Sequence, residues 1–231
     1  MKEIAVIADI HANKYALNVF LSYIEKQKIN LILNLGDFVQ IGPNPYEVSN
    51  IILNDKRFIN ILGNNETSLF DINYEIKTEE INHRIWTKEQ LKENYNKIKV
   101  IPTNKIVEIE NMKILLIHSR KDNIEEMPLI YSHKIDEFTK DYEGFNSNII
   151  LFGHTHEKMF IEHNNKIFIN PGSLGCSKVK KVDFALLKID NGNFVSCEFK
   201  SLGYDKSEVL VEFGKQKIPD KEFIISTFFN D

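Results

Sequence analysis

At 231 residues, with 42% hydrophobic and 27% charged residues, the chain has the composition of a globular protein with one sizeable core. Its net charge is −4 with no block of like charge, which argues against a nucleic-acid-binding or membrane-surface protein. It contains no 18-residue apolar span and no signal-peptide layout. Cys176 and Cys197 fit a reducing compartment better than a disulfide framework, leaving a single bridge between them open. A cytoplasmic protein is expected. With no internal repeat or linker, residues 1–231 read as one domain, with 204–231 a helical tail packed on it.

Residues 2–8 read as a buried strand. Residues 14–28 set Ala16, Leu17, Phe20, Leu21 and Ile24 on one helical face, with Asn13 as N-cap. A strand over 30–35 ends in Gly36-Asp37, and Asn44-Pro45 predicts the N-cap and first residue of a helix running to about 54. A third strand, 57–62, leads to Gly63-Asn64-Asn65-Glu66. The polar stretch 74–98 predicts two helices, the second opened by a Thr87-x-x-Gln90 capping box. Strands at 104–109 and 112–118 form a hairpin around Glu110-Asn111, and the second ends in His118-Ser119. A helix covers 132–142, and the apolar run 148–152 leads into Gly153-His154-Thr155-His156. Two hairpins follow, 158–163 with 166–170 and 182–190 with 194–202, and then a tail of one or two amphipathic helices over 204–229. Strand–helix alternation in the first half and strands in the second predict two packed sheets with helices outside.

Candidate ligands stand at five strand ends: Asp9 and His11, Asp37, Asn64, His118, and the pair His154 and His156. The carboxyl ends of strands are where α/β folds build sites. Four of the seven histidines fall there, in a set that suits two divalent ions. A carboxylate can bridge ions about 3.5–4 Å apart, which suits Asp37. Imidazole with carboxylate or amide oxygen suits Mn²⁺ first, with Fe, Zn or Ni as further possibilities. Two dications against two carboxylates leave about +2, which attracts a phosphate, and a hydroxide between the ions would be the nucleophile.

Asp9-x-His11, Gly36-Asp37, Gly63-Asn64-x-Glu66, His118 and Gly153-His154-x-His156 together resemble the calcineurin-like metallophosphoesterases. The likeness takes in Asp9-Ile10-His11-Ala12-Asn13, Gly42-Pro43-Asn44-Pro45 and Asn170-Pro171-Gly172-Ser173, features of the small single-domain bacterial and archaeal phosphoesterases. The resemblance spans roughly residues 1–200. It implies a four-layer α/β/β/α sandwich. It also implies that Asp9, His11 and His156 hold one metal, that Asn64, His118 and His154 hold the other, and that Asp37 bridges.

One position departs from the family. Many members carry His after the ligand Asn, where it can protonate the leaving group; here that residue is Asn65. An amide can hydrogen-bond a phosphoryl oxygen but is no general acid at neutral pH. The expected function is a dinuclear metal-dependent phosphodiesterase acting on a small phosphate ester, with Asp37 and Asn65 in the catalytic site. A phosphatase, a dinucleoside polyphosphate hydrolase and a non-catalytic protein-binding scaffold are the alternatives, and a homo-oligomer is compatible with the sequence.

Arg120, one of only three arginines, is the candidate for a substrate phosphate, with carboxylate pairing as the alternative. His83 reads as a surface or cap residue, His133 and His163 as solvated, and Gly172-Ser173 as part of the site's rim.

Overall fold

The computed structural model describes residues 1–128 and 134–229. Among the described residues, ten strands form two five-stranded sheets. The first has the order β10-β9-β1-β2-β3 and the second β4-β5-β6-β8-β7. In the first sheet β1 (Lys2–Ile7), β2 (Ile32–Asn34) and β3 (Phe58–Asn60) run parallel, and β9 (Lys181–Asp190) and β10 (Asn193–Gly203) add antiparallel. In the second, β5 (Met112–Ile117), β6 (Ile149–Leu151) and β8 (Lys166–Pro171) run parallel, with β4 (Asn104–Ile109) and β7 (Lys158–His163) antiparallel at the edges.

The alternation of side chains along β1 shows how the layers form. Ile4, Val6 and Ala8 enter the core between the sheets, against Leu33, Leu116, Leu151 and Leu187. Ala5 and Ile7 face the opposite way, toward Leu17, Phe20 and Ile24 of α1 (Lys14–Lys26) and Val48 and Ile52 of α2 (Pro45–Asn54). Burial on both faces is why these strands read as unbroken apolar runs. On the outer face of the second sheet, Leu115, Ile150 and Phe168 pack against Phe138 of α6 (Ile135–Lys140) and against Tyr142. Each fully buried Leu, Ile or Phe contributes about 1.5–3 kcal/mol. The result is the four-layer α/β/β/α arrangement.

Local signals held unevenly. Asn13 caps α1, accepting the Ala16 N–H at 3.1 Å. Pro45 opens α2 as expected, but Asn44 makes no side-chain cap bond. The Thr87-x-x-Gln90 capping box does not exist. Thr87 is buried inside one continuous α4 (Glu79–Leu91), capped instead by Thr78, and the chain turns at Lys92 before α5 (Asn94–Ile98). Packing of Thr87 against the body overrides the local signature. A four-residue helix, α3 (Asn64–Thr67), was not foreseen. In the tail, α7 (Ser207–Lys215) and α8 (Lys221–Ile224) lead into a π-helical turn, Ile225–Phe229. Val209, Phe213, Ile224 and Phe229 form a small core there, against Tyr15, Ile41 and Trp86. Among the described residues, no helix is long and apolar enough to cross a membrane.

Candidate metal centre

The loops that follow the parallel strands of both sheets converge. Those after β1 and β2 are stitched together by backbone: Asp9 N–H to Gly36 O at 3.1 Å, His11 N–H to Asp37 O at 2.9 Å and Ala12 N–H to Phe38 O at 2.9 Å. Asp9, His11, Asp37, His154 and His156 all have positive φ, between 46° and 69°. Left-handed backbone is uncommon for side-chain-bearing residues and costs about 1–3 kcal/mol where it is held. Five of the seven candidate ligands therefore sit on strained backbone, so the surrounding loops must hold them there. Two glycines allow the close approach. A Cβ at Gly63 would collide with the Asp37 carboxylate, and one at Gly153 would press on Ala8 at 2.8 Å and Asp9 Oδ2 at 3.1 Å.

All seven candidate ligands come together. Asp37 lies between two groups, with its Oδ2 3.3 Å from His118 Nε2 and 4.0 Å from His11 Nε2. On one side, Asp9 Oδ1 is 3.7 Å from His11 Nε2 and 3.5 Å from His156 Nε2, and the two ring nitrogens are 3.0 Å apart. On the other, Asn64 Oδ1 is 3.1 Å from His118 Nε2 and 2.9 Å from His154 Nδ1. Asp9, His11, Asp37 and His118 are buried; Asn64, His154 and His156 are half-buried.

The chemistry of these contacts calls for a cation. With Nδ1–H donated to Leu35 O at 2.7 Å, a neutral His118 would turn its Nε2 lone pair on the Asn64 and Asp37 oxygens, a clash that a proton or a metal ion on Nε2 relieves. Asp9 Oδ1 and His11 Nδ1 are buried without a hydrogen-bond partner. Burial works against charge on His118, but Asp37 and then Asp9 push it up to about 9. Burial and the neighbouring His156 pull His11 down to about 4, against the pull of Asp37 and Asp9. Burial alone would raise Asp37, yet His118 and His11 hold its carboxyl well below the usual range. Acceptors facing acceptors in a buried site are satisfied by protons or by metal ions. The donor set fits divalent cations.

The family model of the calcineurin-like phosphoesterase superfamily domain matches residues 1–192. The chain belongs to this superfamily. Members are metal-dependent, in accord with the donor groups described above. The chain is 28% identical to an uncharacterized protein of Methanocaldococcus jannaschii, over 94% of each chain. It is 23% identical to a phosphodiesterase of the same organism, over 74% of this chain and 82% of that one. A solved metallophosphoesterase from Sphaerobacter thermophilus shares the fold with a TM-score of 0.76, at 20% identity over 97% of both chains.

The residues neighbouring the cluster fall out less simply. Asn65 is at the centre, but its side chain is turned onto the Asp37 carboxylate. Its backbone N–H donates to Asp37 Oδ1 at 2.9 Å and its amide to Oδ2. Arg120 is not brought into the cluster. Its guanidinium pairs with Asp141, at 3.0 Å, and with Glu126, which is the carboxylate pairing given as the alternative. His83 is buried, contrary to its reading as a surface or cap residue. Its Nδ1–H donates to Pro219 O at 3.2 Å, its Nε2 accepts the Ile41 N–H at 3.1 Å, and it stacks on Trp86. His163 lies beside Asp136, at 2.7 Å. His133 lies outside the described residues.

Two contributors went unassigned in the sequence. Glu66 is fully buried, and its two oxygens accept four backbone N–H groups, from Asp37, Phe38, Val39 and Gly63, at 2.7–3.1 Å. It holds the Asp37 loop to the Asn64 helix. The motif Gly63-Asn64-x-Glu66 displayed it without revealing that task. The second is Cys176, buried beside His11 and His156. Ser173 brings it there, donating its hydroxyl to Asp9 O at 2.9 Å and accepting the Cys176 N–H at 2.9 Å. Asn170 meanwhile pins the histidine turn by donating to Gly153 O at 2.8 Å and Thr155 Oγ1 at 2.9 Å.

Proposed function

We propose that the protein is a dinuclear metal-dependent phosphodiesterase acting on a small phosphate ester. Asp9, His11 and His156 would hold one ion, Asn64, His118 and His154 the other, and Asp37 both. The observation that carries this reading is the convergence of those seven side chains in two groups that share Asp37. Divalent ions bound there, manganese being suited to the oxygen-bearing donors, supply Lewis-acid activation of water and positive charge against the phosphoryl oxygens. The protein's residues fix the donors in place: Leu35 O orients His118, and the Glu66 carboxylate ties the Asp37 and Asn64 loops.

Asn65 supports the diester preference. Its amide can donate a hydrogen bond but has no titratable proton, so a departing alkoxide receives no general acid from it. Such assistance is worth about 10²–10⁴-fold. Activated diesters should be cleaved well and unactivated monoesters poorly, in keeping with the name of the archaeal phosphodiesterase that the chain resembles. The test is kcat/KM of the metal-loaded protein and of Asn65→His over diesters and monoesters of graded leaving-group pKa. Asn65→His should improve poor leaving groups more than nitrophenyl esters. The same shallow dependence in both proteins would show that another group supplies the proton, and the argument for a diester preference would fail.

A further inference from the structure

Cys176 is a buried free thiol that the proposed chemistry leaves unused. Its Sγ and one ring nitrogen each of His11 and His156 lie within 4.8 Å of one another. The position is built. Leu174 and Gly175 hydrogen-bond through their N–H groups to Ala8 O and Asp9 O at 2.9 and 3.0 Å. Gly175 O accepts from Asn13, the cap of α1, at 2.8 Å. The cysteine is thus fastened to the same loop that carries Asp9 and His11. An independent observation points to a cation at this spot: Asp9 Oδ1 is wholly buried, has no hydrogen-bond partner, and faces His11 Nε2 and His156 Nε2. The other half of the centre has no sulfur; its donors are Asn64, His118 and His154.

We propose that Cys176 donates its sulfur to the cation held by Asp9, His11 and His156, so that the two halves of the centre prefer different metals. On ligation the S–H bond breaks, the proton leaves to solvent, and the sulfur lone pair binds the ion; no redox change is involved. Thiolate favours zinc and other borderline-to-soft ions over manganese and magnesium. The Cys176 half is therefore zinc-, iron(II)- or cobalt-selective, while the Asn64 half keeps the preference of nitrogen and oxygen donors for manganese. This proposal rests on reading the cluster as a metal centre.

Cobalt(II) separates the two claims. The metal-free protein is titrated with cobalt and its absorption spectrum recorded for wild type, Cys176→Ser, Cys176→Ala and, as a control, Cys197→Ser. Cysteine 197 lies half-buried on β10. The expected result is a sulfur-to-cobalt charge-transfer band in wild type and Cys197→Ser that both Cys176 variants lack while still binding cobalt. Zinc affinity should also fall by at least roughly tenfold in Cys176→Ser, with manganese affinity nearly unchanged. Visible cobalt d–d bands without charge transfer in wild type would overturn the sulfur ligand and leave the metal centre standing. If no cobalt, zinc or manganese binds at all, the metal centre itself falls, and this proposal with it.

Discussion

Acidification should loosen the C-terminal tail through His83. The ring joins the Gln40–Gly42 loop to the tail as a neutral imidazole, accepting from Ile41 N–H and donating to Pro219 O. A second proton would set two N–H groups against each other at Ile41. Burial, opposed only weakly by the Pro219 hydrogen bond, lowers its pKa from the ordinary 6.5 to about 4. The unfolded chain therefore binds the proton more readily between pH 6.5 and 4. Stability is fully present above that window and is lost as pH falls through it. The full window amounts to about 3 kcal/mol, and at pH 5 the loss relative to neutral pH is about 2 kcal/mol. Urea unfolding of metal-free wild type and His83→Gln at pH 7.5 and pH 5 measures it. The other histidines supply the same background in both proteins. Wild type should lose about 2 kcal/mol more than His83→Gln between the two pH values, with Trp86 fluorescence, from the indole stacked on His83, reporting early release of the tail. Equal losses in the two proteins would show that His83 is not held neutral.

Two further substitutions probe the residues around the centre. Arg120→Ala should leave KM unchanged on every substrate and cost less than about 1 kcal/mol in a thermal melt, because it removes only partly exposed ion pairs with Asp141 and Glu126; a large rise in KM would return it to the substrate. Glu66→Gln places an amide NH₂ against two backbone N–H groups. It should cost about 1–3 kcal/mol in urea unfolding and weaken metal binding measured by titration; unaltered values of both would remove the anchoring role.

The strand ends were legible because buried parallel strands are plain apolar runs and their ends carry unusual residues. Asp9, His11, Asp37, Asn64, His118, His154 and His156 could be picked out as a set for that reason, each being a weak signal alone. What the sequence concealed depends on contacts between distant segments. Arg120 follows a candidate ligand in sequence, but Asp141 and Glu126 reach it from elsewhere. His83 sits on a polar helix and looks solvated until the tail, 136 residues on, covers it. Cys176 looks like an ordinary reduced cysteine until the 173–175 turn is fastened onto the end of β1. Thr87 matched a local helix-start pattern that burial overruled. The positive φ of five ligands also lies beyond residue type alone, since Asp and His tolerate that region without announcing it.

Metal content per chain, measured beside hydrolysis of a nitrophenyl diester after reconstitution and dialysis, bears most directly on the shared centre. Wild type should retain two ions and hydrolyse the diester. His156→Ala should lose mainly one ion, and Asp37→Asn, which removes the charge between the two groups, should weaken both and abolish most activity. Two retained ions with full activity in Asp37→Asn would contradict a centre built around Asp37.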